Sequence, residues 1–256
     1  MQNRYTGDVG DYGKYGLLRF LTAPVPANER LPRLGVNWYL VPDETDNRDG
    51  EYTGYLAHDK APLFRPCDPE LYDRLRAIIR ENLRSVQQII AGEILPNGTK
   101  FYAETLAYSH LKNKKAARLA HRSRWVQQGL KQLKDCELIF FDPDNGLGVP
   151  SIPRHYKQGI KYVFYDELVD YFKRGQSLII YNHRDRKPMP LYLERFRKLK
   201  KHLPQVSTIF YLRFNSYSVR DYVFVPQPSH INLLKEKIKI MLAGPWGRHF
   251  KYFNLE

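Results

Sequence analysis

The sequence predicts a mixed α/β fold: a Rossmann-like, three-layer domain, its mostly parallel sheet carrying an antiparallel hairpin at one edge. Three observations predict it. Apolar runs of strand length alternate with helix-periodic segments through the middle of the chain, the order that βαβ units impose on a sequence. The run Leu138-Ile139-Phe140-Phe141 is apolar at every position, as a strand covered on both faces requires, so it belongs near the sheet centre. Two late extended segments, 208–214 and 222–225, follow one another with no helix between them, which is the order of an antiparallel pair.

The elements follow from local chemistry. Residues 12–21 read as a helix closed by Thr22-Ala23-Pro24-Val25-Pro26, because proline cannot continue a helix and biases its predecessor to extended geometry. Residues 33–41, with Val36, Trp38, Leu40 and Val41, read as a strand that enters the polar loop Pro42 to Gly50. Asp68-Pro69-Glu70 opens a helix that runs to Arg80, with a capping aspartate, a proline in the first turn and an acid facing the helix dipole. A short helix over 85–91 and a brief strand over 99–102 come next. Residues 105–133 read as one long helical stretch whose apolar positions are Leu106, Leu111, Ala117, Leu119, Trp125 and Leu130. After the central strand, residues 161–164 form a short strand or the entry to a helix over 166–174, which Gly175 ends in a left-handed conformation. A strand over 177–181 runs into Asn182-His183-Arg184, and helices over 191–202 and 231–242 complete the count. The chain carries no internal repeat or low-complexity tract.

With 256 residues, 43% of them hydrophobic, the chain has material for a single α/β domain over 1–256, with room for a helical insertion around 57–125. It has no uninterrupted apolar run of the roughly 18 residues that a membrane span needs, and Met1-Gln2-Asn3-Arg4 leads into Gly and Asp rather than an apolar signal core. A cytoplasmic protein with no membrane partner is expected. Cys67 and Cys136 have neither metal-ligand nor disulfide-framework spacing and are expected to be inert. The formal net charge of +14 points to a polyanion, DNA or RNA, through counterion release. Its cations concentrate in Lys112, Lys114, Lys115, Arg118, His121, Arg122 and Arg124, and again in Arg184, Arg186, Lys187, Arg195, Arg197, Lys198, Lys200 and Lys201. Solvated faces of ordinary helices are the alternative.

Three strand ends carry polar clusters: Asp43-Glu44, Asp142-Pro143-Asp144-Asn145 and Asn182-His183-Arg184. Parallel neighbours bring their carboxyl ends together, so these distant segments are expected to line one crevice. Each cluster alone is also ordinary turn chemistry. The segment Gly7 to Tyr15 adds four glycines, counting Gly16, around a helix start, which implies close backbone approach to a ligand or to another segment, with helix capping and tight packing as the alternative.

The Asp142-Pro143-Asp144-Asn145 segment is similar to the Asp-Pro-Pro-Tyr tetrad of amino-group methyltransferases, with Asp144 and Asn145 in place of the second proline and the tyrosine. The N-terminal segment resembles the Gly-Asn-x-Ala-Asp-x-x-Lys-His motif of the bacterial large-subunit ribosomal RNA adenine-N6 methyltransferases: Gly7, Asp11 and Lys14 match, and Asp8 and Tyr15 stand for the Asn and His. The likeness continues as an order of elements through the strand into Pro42 to Gly50, the Asp142 motif, the strand ending at Tyr181 and the segment Tyr222 to Pro226. The resemblance implies S-adenosylmethionine as cofactor. It also implies Asp142, Lys14, Asp144 and Asn145 at the catalytic centre, Tyr15, Asp11, Asp43 and Glu44 around the cofactor, and Tyr5, His183 and Arg184 on the substrate. Two departures stand out: Pro42-Asp43-Glu44-Thr45 replaces the family's glycine-rich cofactor loop, and Asn145 cannot stack on a base, which leaves Tyr5 or Tyr12 for that task.

Three functions compete on these residues. One is methyl transfer from S-adenosylmethionine to an exocyclic amino group, adenine N6 by resemblance, with Asp142 orienting the amino nitrogen and Lys14 near a flipped base. Another is a magnesium- or manganese-dependent nuclease, with Asp43, Glu44, Asp142, Asp144 and Glu167 as oxygen ligands and His183 or Lys14 assisting hydrolysis. The third is a methyltransferase-like nucleic-acid-binding module without catalysis.

Overall fold

A computed structural model describes residues 1–24, 32–111 and 114–255. Its main sheet has seven strands: β1 (Leu34–Asn37), β2 (Lys100–Tyr102), β3 (Leu138–Phe141), β6 (Ser177–His183), β7 (Phe210–Ser216), β8 (Ser218–Val225) and β9 (Phe250–Asn254), in the spatial order β2-β1-β3-β6-β8-β7-β9. The first four are parallel, and β8, β7 and β9 are each antiparallel to the neighbour that precedes them in that order. One row of the register runs Val36, Phe140, Ile179, Phe224, Phe210, Asn254. The short strands β4 (Gly146–Leu147) and β5 (Tyr162–Val163) pair in parallel as a separate two-stranded sheet.

Alternating side chains of each strand feed two cores, because successive residues of a strand point to opposite faces. Val36, Leu138, Phe140, Ile179, Leu212 and Phe224 pack with helices α1 (Val9–Thr22), α3 (Pro69–Arg80), α4 (Val86–Ala91) and α8 (Ile231–Ala243). Ile139, Phe141, Leu178, Ile180, Tyr211 and Val223 pack with α5 (Lys115–Gln132), α6 (Tyr165–Lys173) and α7 (Met189–His202). This is the three-layer arrangement the sequence predicts, and β3 lies between β1 and β6 with Phe140 and Phe141 fully buried. The one-turn helix α2 (Ala61–Phe64) sends Phe64 into the α1 core, as α3 sends Leu71, Tyr72 and Leu75.

Several expectations need correction. The helix expected over 105–133 starts only at Lys115: Leu106 donates its N–H to the Leu40 carbonyl, which holds that segment beside β1, and residues 109–111 form a single 3-10 turn. The strand expected over 33–41 stops at Asn37, since Tyr39 turns the chain with φ of 41° and Val41 N–H donates to the Met1 carbonyl instead of a sheet neighbour. Strand β6 runs two residues past Tyr181, so Asn182 and His183 are part of it. The strand β9 has no counterpart in the sequence reading. The expected helix stop at Val25-Pro26 lies outside the described residues, as does Lys112.

The basic runs divide. Arg118, Arg122 and Arg195 are buried, with Arg122 paired to Glu167 and Arg195 to Asp185, so they serve the fold. Lys114, Lys115, Arg124, Arg186, Lys187, Arg197, Lys200 and Lys201 are exposed, on or beside α5 and α7, which share one layer. Cys67 and Cys136 are free thiols, and burial pushes Cys67 up to about 11. No helix among the described residues is long and apolar enough to cross a membrane.

Candidate active site

From β1 the chain order moves one way to β2 and the other way to β3, so the sheet reverses between β1 and β3. A doubly wound sheet opens a crevice at the carboxyl ends of its strands at such a point. A cleft of about 310 Å³ lies there, floored by Asp11, Lys14, Asp142, Asp144 and Asn145 and walled by residues that include Met1, Tyr5, Asp8, Asp49, Tyr52, Lys161, Tyr181, His183 and Arg220.

The floor is built by α1 meeting the end of β3. Asp8 caps α1, its carboxylate accepting the Asp11 N–H at 2.9 Å. Asp11 lies in the first turn and Lys14 one turn on, so both side chains share a face, and the Lys14 ammonium reaches Asp11 Oδ1 at 2.6 Å. The same Nζ stands 2.6 Å from Asp142 Oδ2, on the first residue beyond β3. Lys14 is thus clasped between two carboxylates, and all three groups are buried. One ammonium cannot compensate two buried carboxylates. Desolvation therefore holds Asp11 and Asp142 above the usual carboxylate range, against the pull of Lys14. Burial opposes the charge on Lys14 too, but Asp11 and Asp142 outweigh it and hold the ammonium above its ordinary range.

Asp144, two residues on, lives differently. Burial works against its charge, yet the Met1 ammonium at 2.8 Å, the Gln2 amide at 2.7 Å and Lys161 at 3.8 Å hold it below the usual range. The two strand-end carboxylates are pushed in opposite directions, which is how neighbouring acids acquire different tasks. The Met1 ammonium also donates to the carbonyls of Asp142 (2.9 Å) and Tyr39 (3.3 Å), so this corner of the cleft is already a cation cradle.

The loop after β3 is held rigidly. Gly146 has φ of 96°, and a β-carbon there would stand 2.1 Å from Asn182 Oδ1, the atom that accepts the Leu147 N–H at 2.9 Å. Asn145 N–H donates to the Lys161 carbonyl, fixing the loop from the β5 side. The Asp-Asn-Gly sequence is therefore turn chemistry and site construction at once. The glycines of α1 are places of close approach to other segments: a β-carbon at Gly16 would stand 2.2 Å from the Trp246 ring, and those at Gly13 and Gly10 would meet Phe214 and Arg220. Packing Arg220 across Gly10 brings its guanidinium to the cleft wall, 3.7 Å from Asp8.

The expected site residues separate accordingly. Asp142, Lys14, Asp144, Asn145, Asp11, Tyr5 and His183 converge on the cleft. Crowding desolvates the His183 imidazole and, with Arg220, pushes it below its usual range. Tyr15 does not line the cleft; it is a fully buried core side chain. Asp43 is exposed and accepts the Arg4 backbone N–H, while Glu44 is drawn to Lys161 at 2.5 Å, so the loop after β1 presents neither carboxylate to the cleft. Arg184 folds back on Asp185 and the Tyr192 ring. Tyr12, the alternative stacking residue, sits in an aromatic core with Tyr55, Phe64, Tyr72 and Trp246. The metal set is not assembled: Glu167 is held by Arg122 at 2.5 Å in the other layer, Asp43 faces Arg4, and Lys14 and Met1 occupy the inner carboxylates. Among the described residues no group of three or more His, Cys, Asp and Glu side chains is placed to hold a metal ion.

The sequence assigned no site role to Met1, Gln2, Asp49, Tyr52, Lys161, Tyr181 and Arg220, and pointed to Asp8 only through its motif. Arg220 had a usable signal, because a charge inside the apolar β8 run needs a buried partner. Gln2 had none, since its role depends on the amino-terminal segment lying beside the loop after β1. No protein-family model matches this chain, and no curated protein is significantly similar to it.

Proposed function

We propose that the protein is a nucleic-acid methyltransferase that uses S-adenosylmethionine to methylate an exocyclic amino group, adenine N6 by resemblance. The observation that carries this reading is the meeting of Asp142, Asn145 and Lys14, from two motifs that resemble one family, on the floor of a single cleft at the reversal point of the sheet. The mostly parallel sheet closed by antiparallel strands is the architecture expected from the order of elements along the chain.

The donor set of the cleft fits the cofactor. S-Adenosylmethionine carries a sulfonium and an ammonium, and Asp8, Asp11 and Asp49 offer carboxylates, with the Tyr5 ring available to an adenine. The Met1 ammonium in its cradle of two carbonyls and Asp144 is a cation of the same kind. When bound, the cofactor supplies an electrophilic methyl group. Asp142 accepts a hydrogen bond from the target amino group and directs the nitrogen lone pair away from the strand end. Its raised pKa suits it to receive the proton that the nitrogen sheds on alkylation. Lys14 positions Asp142, and Asp11 positions Lys14. The exposed cations beside α5 and α7 favour a polyanionic substrate.

Transfer of a labelled methyl group from S-adenosylmethionine to total RNA and, separately, total DNA tests this reading, with Asp142→Asn as the partner variant. The expected result is label on the exocyclic amino group of one base class, lost in Asp142→Asn. Label on neither polymer would overturn it.

A further inference from the structure

We propose that Tyr52 and Tyr217 form a stacking platform at the mouth of the cleft for an unpaired nucleobase of a single-stranded nucleic acid. The inference rests on the nucleic-acid reading above and names how that substrate is held. Tyr217 is the whole turn of the β7–β8 hairpin, since Ser216 and Ser218 on either side of it are paired directly across the strands. Its φ is 62°, a left-handed conformation that a bulky side chain adopts only at a cost and that glycine or asparagine adopts far more readily. Tyr217 is 50% exposed and Tyr52 is 43% exposed. Their ring centroids are 6.4 Å apart at 52°, so the two rings touch as one aromatic surface; they are too close and too tilted to clasp a third ring between them. The occupant therefore lies on their outer faces.

The platform belongs to the cleft. Tyr52 and Ser218 both line it, together with the His183 imidazole, the cationic Arg220 and the carboxylate of Asp49. It is also braced from beneath. The Tyr52 carbonyl accepts the Val9 N–H at 2.9 Å, which ties this residue to the start of α1. Behind Tyr217 stand Phe64, at 6.3 Å between centroids, and Gly54, where a β-carbon would come within 3.3 Å of the Tyr217 hydroxyl. A tyrosine that strains its own turn and leaves half its ring in water is a poor choice for folding. It is a good choice for stacking a base, which every nucleobase permits whatever its hydrogen-bonding edge. Asn145 stands where the resembled family carries its aromatic residue, and the rim supplies the rings that the floor lacks.

The test is equilibrium binding of a short single-stranded oligoadenylate, its deoxy counterpart and a base-free phosphodiester of equal length, followed by fluorescence anisotropy. Tyr52→Ala and Tyr217→Gly are each expected to weaken binding of the base-bearing polymers by about tenfold to a hundredfold and to leave the base-free polymer unaffected. The ribo and deoxy arms distinguish RNA from DNA as the source of the base. Tyr52→Phe should bind as the wild type does. Tyr217→Gly relieves the strained turn, so its melting temperature should not fall, which separates lost stacking from lost folding. Equal loss on base-bearing and base-free polymers, unchanged binding in both variants, or no binding of either polymer by the wild type would each overturn the platform. No cofactor or turnover enters these measurements, so absence of methyl transfer would leave the platform standing, and absence of stacking would leave methyl transfer standing.

Discussion

The Asp11–Lys14–Asp142 cluster makes an asymmetric prediction. Ionised, the three buried groups sum to a charge of minus one, with Lys14 Nζ 2.6 Å from each carboxylate. Lys14→Met removes the cation and leaves two carboxylates facing each other in a buried site. Breaking a buried ion pair by deleting one partner costs about 3–5 kcal/mol, which for a chain of this size lowers the melting temperature by roughly 6 to 20 °C. Asp142→Asn removes one charge of the excess sign, keeps an oxygen for Lys14 to donate to, and leaves a neutral Lys14–Asp11 pair. Its cost is expected to stay within about 1 kcal/mol, because the lost charge-assisted hydrogen bond is offset by the desolvation that no longer has to be overcome. Urea denaturation monitored by circular dichroism measures both. The pH dependence follows with its sign. Burial raises Asp11 and Asp142 in the folded state, so their unfavourable contribution grows as pH rises from the ordinary value of 3.8 through the raised one. Without Lys14 that rise is larger, and Lys14→Met should recover stability relative to wild type as pH falls from neutrality. Equal costs for Lys14→Met and Asp142→Asn at neutral pH, or a Lys14→Met variant made relatively worse by acid, would refute this charge balance.

Asp144 should behave in the opposite sense: its folded pKa is lowered, so its contribution is present above the ordinary 3.8 and lost as pH falls through the depressed value. The stability gap between wild type and Asp144→Asn, read from urea midpoints, should narrow from about pH 6 to about pH 3; a gap that widens would contradict the assigned ion pair. Gly16→Ala should cost about 3 kcal/mol by driving a methyl group into the buried Trp246 ring, against about 1 kcal/mol for Gly175→Ala, where only the left-handed backbone at φ of 89° resists. Thermal melts of the two variants check the order. Asn182→Ala should release the loop that carries Asp142 by leaving the buried Leu147 N–H without its acceptor, a loss of about 1–3 kcal/mol seen as faster amide exchange at Leu147.

Much of the fold was legible because strand burial and helix capping are local. The wholly apolar 138–141 run required a central strand, and Asp68-Pro69 and Ser85 mark helix starts within one residue of those observed. What failed was tertiary. Leu106 is apolar at a helical spacing, yet it is spent beside Leu40, and nothing near it in sequence reveals that. The same division runs through the site. Asp142, Lys14 and Asp11 were legible because a strand end and a helical i, i+3 pair fix their neighbours. Asp43 and Glu44 misled, because the loop after β1 lies against the amino-terminal segment and turns its carboxylates to Arg4 and Lys161. Tyr15 misled because the motif places it on α1 without saying which face of that helix is core. The four glycines were read correctly as close-approach positions, but three of them meet Arg220, Phe214 and Trp246, far along the chain.

Isothermal titration calorimetry of the full chain with S-adenosylmethionine and with its demethylated product is the most direct measurement of the central claim. One site for each ligand, a negative heat capacity change as apolar surface of the ligand is buried, and weaker binding in Asp11→Asn are expected. No heat of binding with either ligand, at concentrations where the chain remains folded and monodisperse, would contradict it.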